Sequence, residues 1–313
     1  MVETMAYAGQ TPWHGLGVQV EDNLTVEQMI EAAGLGWGVI KTPLYYDLNG
    51  INTNSGRFAL LRDSDNRFLD TVSDTWEPCQ NVDAFSIFEE FVDAGELEMH
   101  TAGSLKDGQI VWGLAKMKEK FVLFNDDVTE QYLLLVNPHR FGQGIHVRST
   151  PIRVVCNNTL SFSLGQHSEI KSTQNHRQSF NVDAMKEAIG IAKQKFVTYK
   201  EAAEFLSTKK FNNVVNLQEY FATVFPGYSA KKDDTTTIKL SRAAERALEV
   251  VETQPGANFG KGTWWQAFNA VTYLADHELG RDSDSRLRSA WFGINKDRKN
   301  FALETAIKYA EAA

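Results

Sequence analysis

Beyond Phe180 the spacing of apolar residues changes from two to between three and four, and this change constrains the fold more than any other feature of the chain. Before it, short apolar or alternating runs read as strands: Val39 to Tyr46, Phe58 to Arg62, Phe68 to Val72, Leu97 to Thr101, Ile110 to Met117, Phe121 to Phe124, Tyr132 to Val136, Ile145 to Arg148 and Ile152 to Val155. Turn residues separate several of them, among them Asn49-Gly50, Asp63-Ser64-Asp65-Asn66 and Lys106-Asp107-Gly108. Strands joined by such short turns pair antiparallel. Two early helices interrupt the series. Thr25 and Gln28 form a capping box ahead of one that stops at Gly34. Asn81 caps another over Val82 to Ala94, with Phe85, Phe88 and Phe91 as a core stripe.

After Phe180, Met185, Ile189, Ala192 and Phe196 recur at helical spacing, which predicts a long helix from Asn181 to about Leu206. Further helices are expected over Leu217 to Phe225, from Ser241 to Val251, from Thr263, from Ser283, and from about Lys296 to Ala312. The expected fold class is therefore α+β: a mainly antiparallel sheet with early helices, followed by a helical C-terminal part packed on it. The division falls into a sheet domain, 1–178, and a helical domain or extension, 181–313. A mobile loop is expected at 226–240, where Pro226-Gly227 opens a polar stretch.

No run approaches the roughly 20 apolar residues that cross a bilayer. The opening MVETMAYAGQTPWHGLG lacks the basic and apolar regions of a secretory signal. Cys79 and Cys156 stand at no disulfide or metal spacing, so both thiols are expected to be reduced in a cytoplasmic protein without membrane attachment. The net charge of −8 is unevenly spread. Residues 1–136 hold 8 Lys and Arg against 22 Asp and Glu, residues 137–213 hold 11 against 5, and residues 214–313 hold 13 of each. An acidic first segment followed by a basic one points to a surface with a charged partner more than the average does.

No phosphate-binding loop, dinucleotide fingerprint, nucleophile elbow or HExxH motif occurs, and neither a cofactor nor a metal is expected. His139 and His146 would need strand pairing to meet on a metal. Asp276-His277 reads either as an acid/base pair or as a buried polar anchor, the second favoured because helix neighbours do not face each other. Cys156, ending an apolar strand ahead of Asn157-Asn158-Thr159, reads as a core thiol or as one lowered by a following helix N-terminus.

One interval stands out. From Gln131 to Ser168 there is no Asp or Glu, while Arg140, Arg148 and Arg153 lie within it together with His139 and Phe141. Asn137 to Gly144 reads as an exposed glycine-bearing hairpin. Arginine forks and free backbone amides suit phosphate oxygens, and a Phe can stack on an unpaired base. Arg140, Arg148, Arg153, Lys171, Phe141 and His139 are thus the candidate nucleic-acid contacts. The alternative is a hairpin with a solvated polar face.

Thr11-Pro12-Trp13-His14-Gly15-Leu16-Gly17, Ala102-Gly103-Ser104-Leu105 ahead of Val111-Trp112, Tyr132-Leu133-Leu134, Thr150-Pro151-Ile152-Arg153-Val154-Val155-Cys156-Asn157-Asn158-Thr159-Leu160, Thr263-Trp264, Asn269-Ala270-Val271-Thr272 and Asp276-His277 together resemble a phage/plasmid-like protein family of unknown function, domain of unknown function 932. The resemblance spans about residues 10–300 and implies carriage by a mobile element. It supplies no catalytic residue. The expected function is single-stranded DNA binding or annealing in replication or recombination, within a homo-oligomer. The competing expectation is an interaction protein that binds a host protein, for example in counter-defence.

Overall fold

The computed structural model describes residues 5–9, 12, 16–156, 158–159, 173–177, 179–227 and 240–312. Most of the loop expected at 226–240, Lys171, and parts of two resemblance motifs lie outside the described residues. The chain forms two compact units, each drawn from three separate stretches. Unit 1 takes Met1–Lys118, Tyr132–Ser149 and Ser163–Gln194, and unit 2 takes Glu119–Gln131, Thr150–Phe162 and Lys195–Ala313. This differs from a single division at 178–181. Runs that read as separate short strands are halves of long ones, so one strand serves both units.

The large sheet contains β1 (Met5–Ala8), β2 (Val18–Val20), β6 (Leu97–Leu105), β7 (Ile110–Leu123), β8 (Asp127–Pro138), β9 (Ile145–Arg153), β10 (Asn158–Thr159) and β11 (Thr173–Gln174). Its order is β10-β9-β8-β7-β6-β1-β2, with β11 also paired to β9. The β6–β7 hairpin is antiparallel and β1–β2 is parallel, so the sheet is mixed. Asn158 and Thr159 pair back onto β9, where the sequence suggested a helix start.

In unit 1, α1 (Val26–Ala32) opens with the expected capping box of Thr25 and Gln28. The helix expected over Val82 to Ala94 is instead α2 (Asn81–Phe85), a 3₁₀ turn and α3 (Glu89–Asp93). Asn81 does not cap it, because its side chain turns inward to donate to the carbonyls of Leu35 and Trp37. Phe85 and Phe88 join Met29, Leu60, Val111, Leu133, Leu135 and Ile189 in the unit 1 core.

A smaller sheet of β3 (Val39–Leu48), β4 (Ile51–Arg62) and β5 (Phe68–Val72) also belongs to unit 1. β5 pairs with β4 only over Phe58–Leu61, so Tyr45–Leu48 and Ile51–Asn54 continue as a two-stranded ribbon. Asn49 and Gly50 turn it at φ of 56° and 83°. Positive φ at both central residues is the geometry whose twist suits a two-residue hairpin.

Unit 2 is mostly helical. It takes the C-terminal half of α4 (Val182–Thr208), then α5 (Val214–Val224), α6 (Arg242–Val250), α7 (Trp264–Tyr273), a π-helical turn over Leu274–Glu278, α8 (Ser283–Phe292) and α9 (Ile294–Ala312). Asn213, Ser241, Thr263 and Asp282 cap their helices through side-chain oxygens. Phe196, Leu206, Tyr220, Phe221, Trp264, Trp265, Phe268 and Leu303 fill the core.

Candidate functional site

The β8–β9 connection carries two of the six sequence-predicted residues on the outside of unit 1. Phe141 is 55 % exposed, and its backbone N–H donates to Asp70 Oδ2 at 2.9 Å, which pins the loop beside β5. Arg140 is half-buried and forms no ion pair among the described residues. Gly142 follows with open space around it. On β9, Ile145 and Val147 enter the core while His146 and Arg148 take the other face, as the two-residue period requires.

His139 is not a surface contact. It is fully buried and lies two residues beyond Asn137, on the same inward-facing side of the chain. The Asn81 amide is oriented by its two carbonyl partners, so its Oδ1 is an acceptor, and His139 donates to it from Nε2 at 2.9 Å. Asn137 Nδ2 donates to the Cys79 carbonyl at 3.0 Å. That leaves His139 Nδ1 and Asn137 Oδ1 buried without a partner among the described residues. Burial holds His139 down at about 3, with His176 adding to the effect. His176 stacks on Trp76 at 4.2 Å and donates from Nδ1 to the Glu77 carbonyl at 3.1 Å. Burial holds it at about 4, against the pull of the Glu77 and Pro138 carbonyls. Both imidazoles are neutral interior groups near pH 7.

Arg153 is not available to a phosphate either. In unit 2 its guanidinium grips Asp127 with two bonds, Nε to Oδ1 at 2.6 Å and Nη2 to Oδ2 at 2.8 Å. Nη2 also donates to the Gly256 carbonyl at 3.1 Å, and Trp265 Nε1 donates to Asp127 Oδ2 at 2.8 Å. Gly256 is required there. Its φ is +74°, and a Cβ would meet Arg153 Nη2 at 2.8 Å. Cys156 lies beside Arg153, and burial pushes its thiol up to about 11 despite that cation. Its core reading holds, and Cys79 is likewise buried and unbonded, its thiol raised to about 12 by burial.

A second buried ion pair completes the interior of unit 2. Lys299 Nζ donates to Asp276 Oδ1 at 2.6 Å and to Thr159 Oγ1 at 2.9 Å. Thr159 donates to Asp276 Oδ2 from its backbone N at 2.6 Å and from its hydroxyl at 3.1 Å. Asn158 Nδ2 reaches Thr272 Oγ1 at 2.8 Å, and His277 Nε2 donates to the Cys156 carbonyl at 2.9 Å. An amine beside a hydroxyl is the pairing of a base and a nucleophile. Here Thr159 is 1 % exposed and Lys299 and Asp276 are 0 %, so no reactant reaches the oxygen. Asp276-His277 is an anchor, and Arg153, Asn158 and Thr159 form a latch that fastens to α7, the π turn and α9. Sequence reasoning passed over Asp127, Trp265 and Lys299. Among the described residues no three His, Cys, Asp or Glu are arranged to hold a metal ion, and no helix is long and apolar enough to cross a membrane.

The matching family model is a domain of unknown function, DUF932, over residues 68–291. The chain belongs to that family. No curated protein and no solved structure matches it. The matched stretch contains Asp127, Arg153, Thr159 and Asp276, so the DUF932 segment holds most of the latch, while Lys299 and the β3–β4 ribbon lie beyond its ends.

Proposed function

We propose that this DUF932 protein binds single-stranded nucleic acid through the β8–β9 connection and the outer face of β9, as an accessory factor in replication or recombination of a mobile element. The observation that carries the reading is Phe141, a half-exposed aromatic ring on a glycine-bearing loop beside the cation of Arg140. A ring of this kind stacks on any base, and an adjacent guanidinium holds the flanking phosphate. The contact is smaller than the sequence suggests, since His139 and Arg153 are interior.

Fluorescence anisotropy with a labelled oligo-dT across a salt series tests it. Arg140 and Arg148 would each neutralise one phosphate, and each phosphate contributes about 0.7 to the log–log salt slope on single strands. R140A combined with F141A is expected to weaken binding at least about tenfold, because one stacked base alone is worth roughly 1–3 kcal/mol, and to flatten the slope by roughly 0.7. Absence of binding at low salt, or binding untouched by the double substitution, overturns the proposal. The acidic excess of residues 1–136 favours a second reading, a basic host protein as partner, and host-protein capture without oligonucleotide binding would establish it instead.

A further inference from the structure

The β3–β4 ribbon presents an uncharged, largely apolar face that the described residues leave exposed. Cross-strand pairs share a face, so Tyr46 with Thr53 and Leu48 with Ile51 form one side, and Tyr45 with Asn54 and Asp47 with Asn52 form the other. On the first side Tyr46, Leu48 and Ile51 are 51 %, 62 % and 67 % exposed. Isolated exposed apolar residues are ordinary, but three adjoining ones on a projecting ribbon mark a contact surface.

We infer that this face is a self-association arm whose occupant is the same face of a second copy of the chain. Charge selects that occupant. Between Pro43 and Gly56 the only charged residue is Asp47, and it stands on the opposite side of the ribbon. Residues 1–136 as a whole hold 22 acidic and 8 basic residues, an excess that disfavours contact between two copies wherever like charges face each other. The Tyr46–Leu48–Ile51 face is self-complementary, as a two-fold contact requires: apolar meets apolar and no like charges oppose. A nucleic acid does not suit the ribbon, which offers no cation to a phosphate. The inference is independent of the nucleic-acid proposal. A stable interface takes about 800 Å² from each partner, and four paired residues per strand supply only part of that. The association is therefore expected at micromolar concentration.

Sedimentation velocity of the full chain, from about 1 to 100 μM in line with that area, is expected to show a concentration-dependent dimer. Replacing Tyr46, Leu48 and Ile51 together by Ser should leave a monomer throughout that range. All three are solvent-exposed, so unchanged circular dichroism is expected of the variant. Two single-cysteine variants give a second readout, since both native thiols are buried. T53C, on the proposed contact face, should form an intermolecular disulfide under mild oxidation, and N52C, on the other face, should not. Wild-type protein that stays monomeric, a triple variant that associates as strongly as wild type, or equal cross-linking of T53C and N52C overturns the inference.

Discussion

Among its described residues unit 2 buries four acidic or basic side chains, Asp127, Arg153, Asp276 and Lys299, and gives each at least two hydrogen-bond partners. Among the described residues of unit 1 no Asp, Glu, Lys or Arg is buried; its interior polar groups are amides, hydroxyls and the imidazoles of His139 and His176. The two solutions fail in different ways. A buried ion pair costs several kcal/mol of desolvation per ion and repays it only while both partners stand. Neutral imidazoles carry no such cost near pH 7, but acid imposes it on them. Unit 2 is thus vulnerable to the loss of one side chain, and unit 1 to a proton.

The largest effect should come from breaking one ion pair in unit 2. R153M leaves Asp127 buried with Trp265 as its remaining charge-directed donor, and is expected to cost about 3–5 kcal/mol in urea unfolding. D127L combined with R153M should cost less than the sum of the two single changes, because no unpaired charge remains. A loss below about 1 kcal/mol for R153M would place this pair with surface ion pairs and dissolve the contrast between the units.

Acid should single out unit 1. The folded values of His139 and His176, about 3 and 4, lie below the ordinary 6.5 of an unfolded histidine. Their contribution to stability is complete above pH 6.5 and is lost as pH falls through 6.5 towards the folded values. Each should remove about 2 kcal/mol between pH 7 and pH 5. Urea unfolding of H139Q across that range is expected to show a shallower pH dependence than the wild type. An unchanged slope would mean that His139 takes up no proton on unfolding.

The smallest effect sharpens the comparison from outside. Arg246 pairs with Glu278 at 2.8 Å on the half-exposed surface of unit 2. R246A should destabilise the protein far less than R153M, because water screens what burial magnifies. Chemical denaturation of R246A beside R153M measures that ratio directly, and equal losses would mean that burial does not set the value of these pairs.

Much of the fold was legible because periodicity and capping are local. The Thr25–Gln28 box, the Asn49-Gly50 turn, the helix starts at Ser241 and Thr263, and the Met185, Ile189, Ala192 and Phe196 face are all in place. The site was less legible because charge counting does not know which way a side chain faces. Arg153 adds to a basic interval in sequence and cancels against Asp127 in space, 26 residues away. Alternation offered a warning, since Asp127, Thr129 and Gln131 share the inward face of β8. Lys299 offered another. It lies three, four and seven residues before Ala302, Leu303 and Ala306 on the buried face of α9, where a solvated lysine has no place. The long-range partners of Asn81 and His139 had no such local signal.

The six stretches that make up the two units have a consequence for the gene. A ribosome reads the whole of unit 1 only after its third stretch, which ends at Gln194, and by then two of the three pieces of unit 2 have already emerged. No single cut in the coding sequence releases either unit intact. Fusion, truncation or exchange between related genes can therefore succeed only at the ends of this chain or within its loops, and the protein must be inherited as one indivisible part.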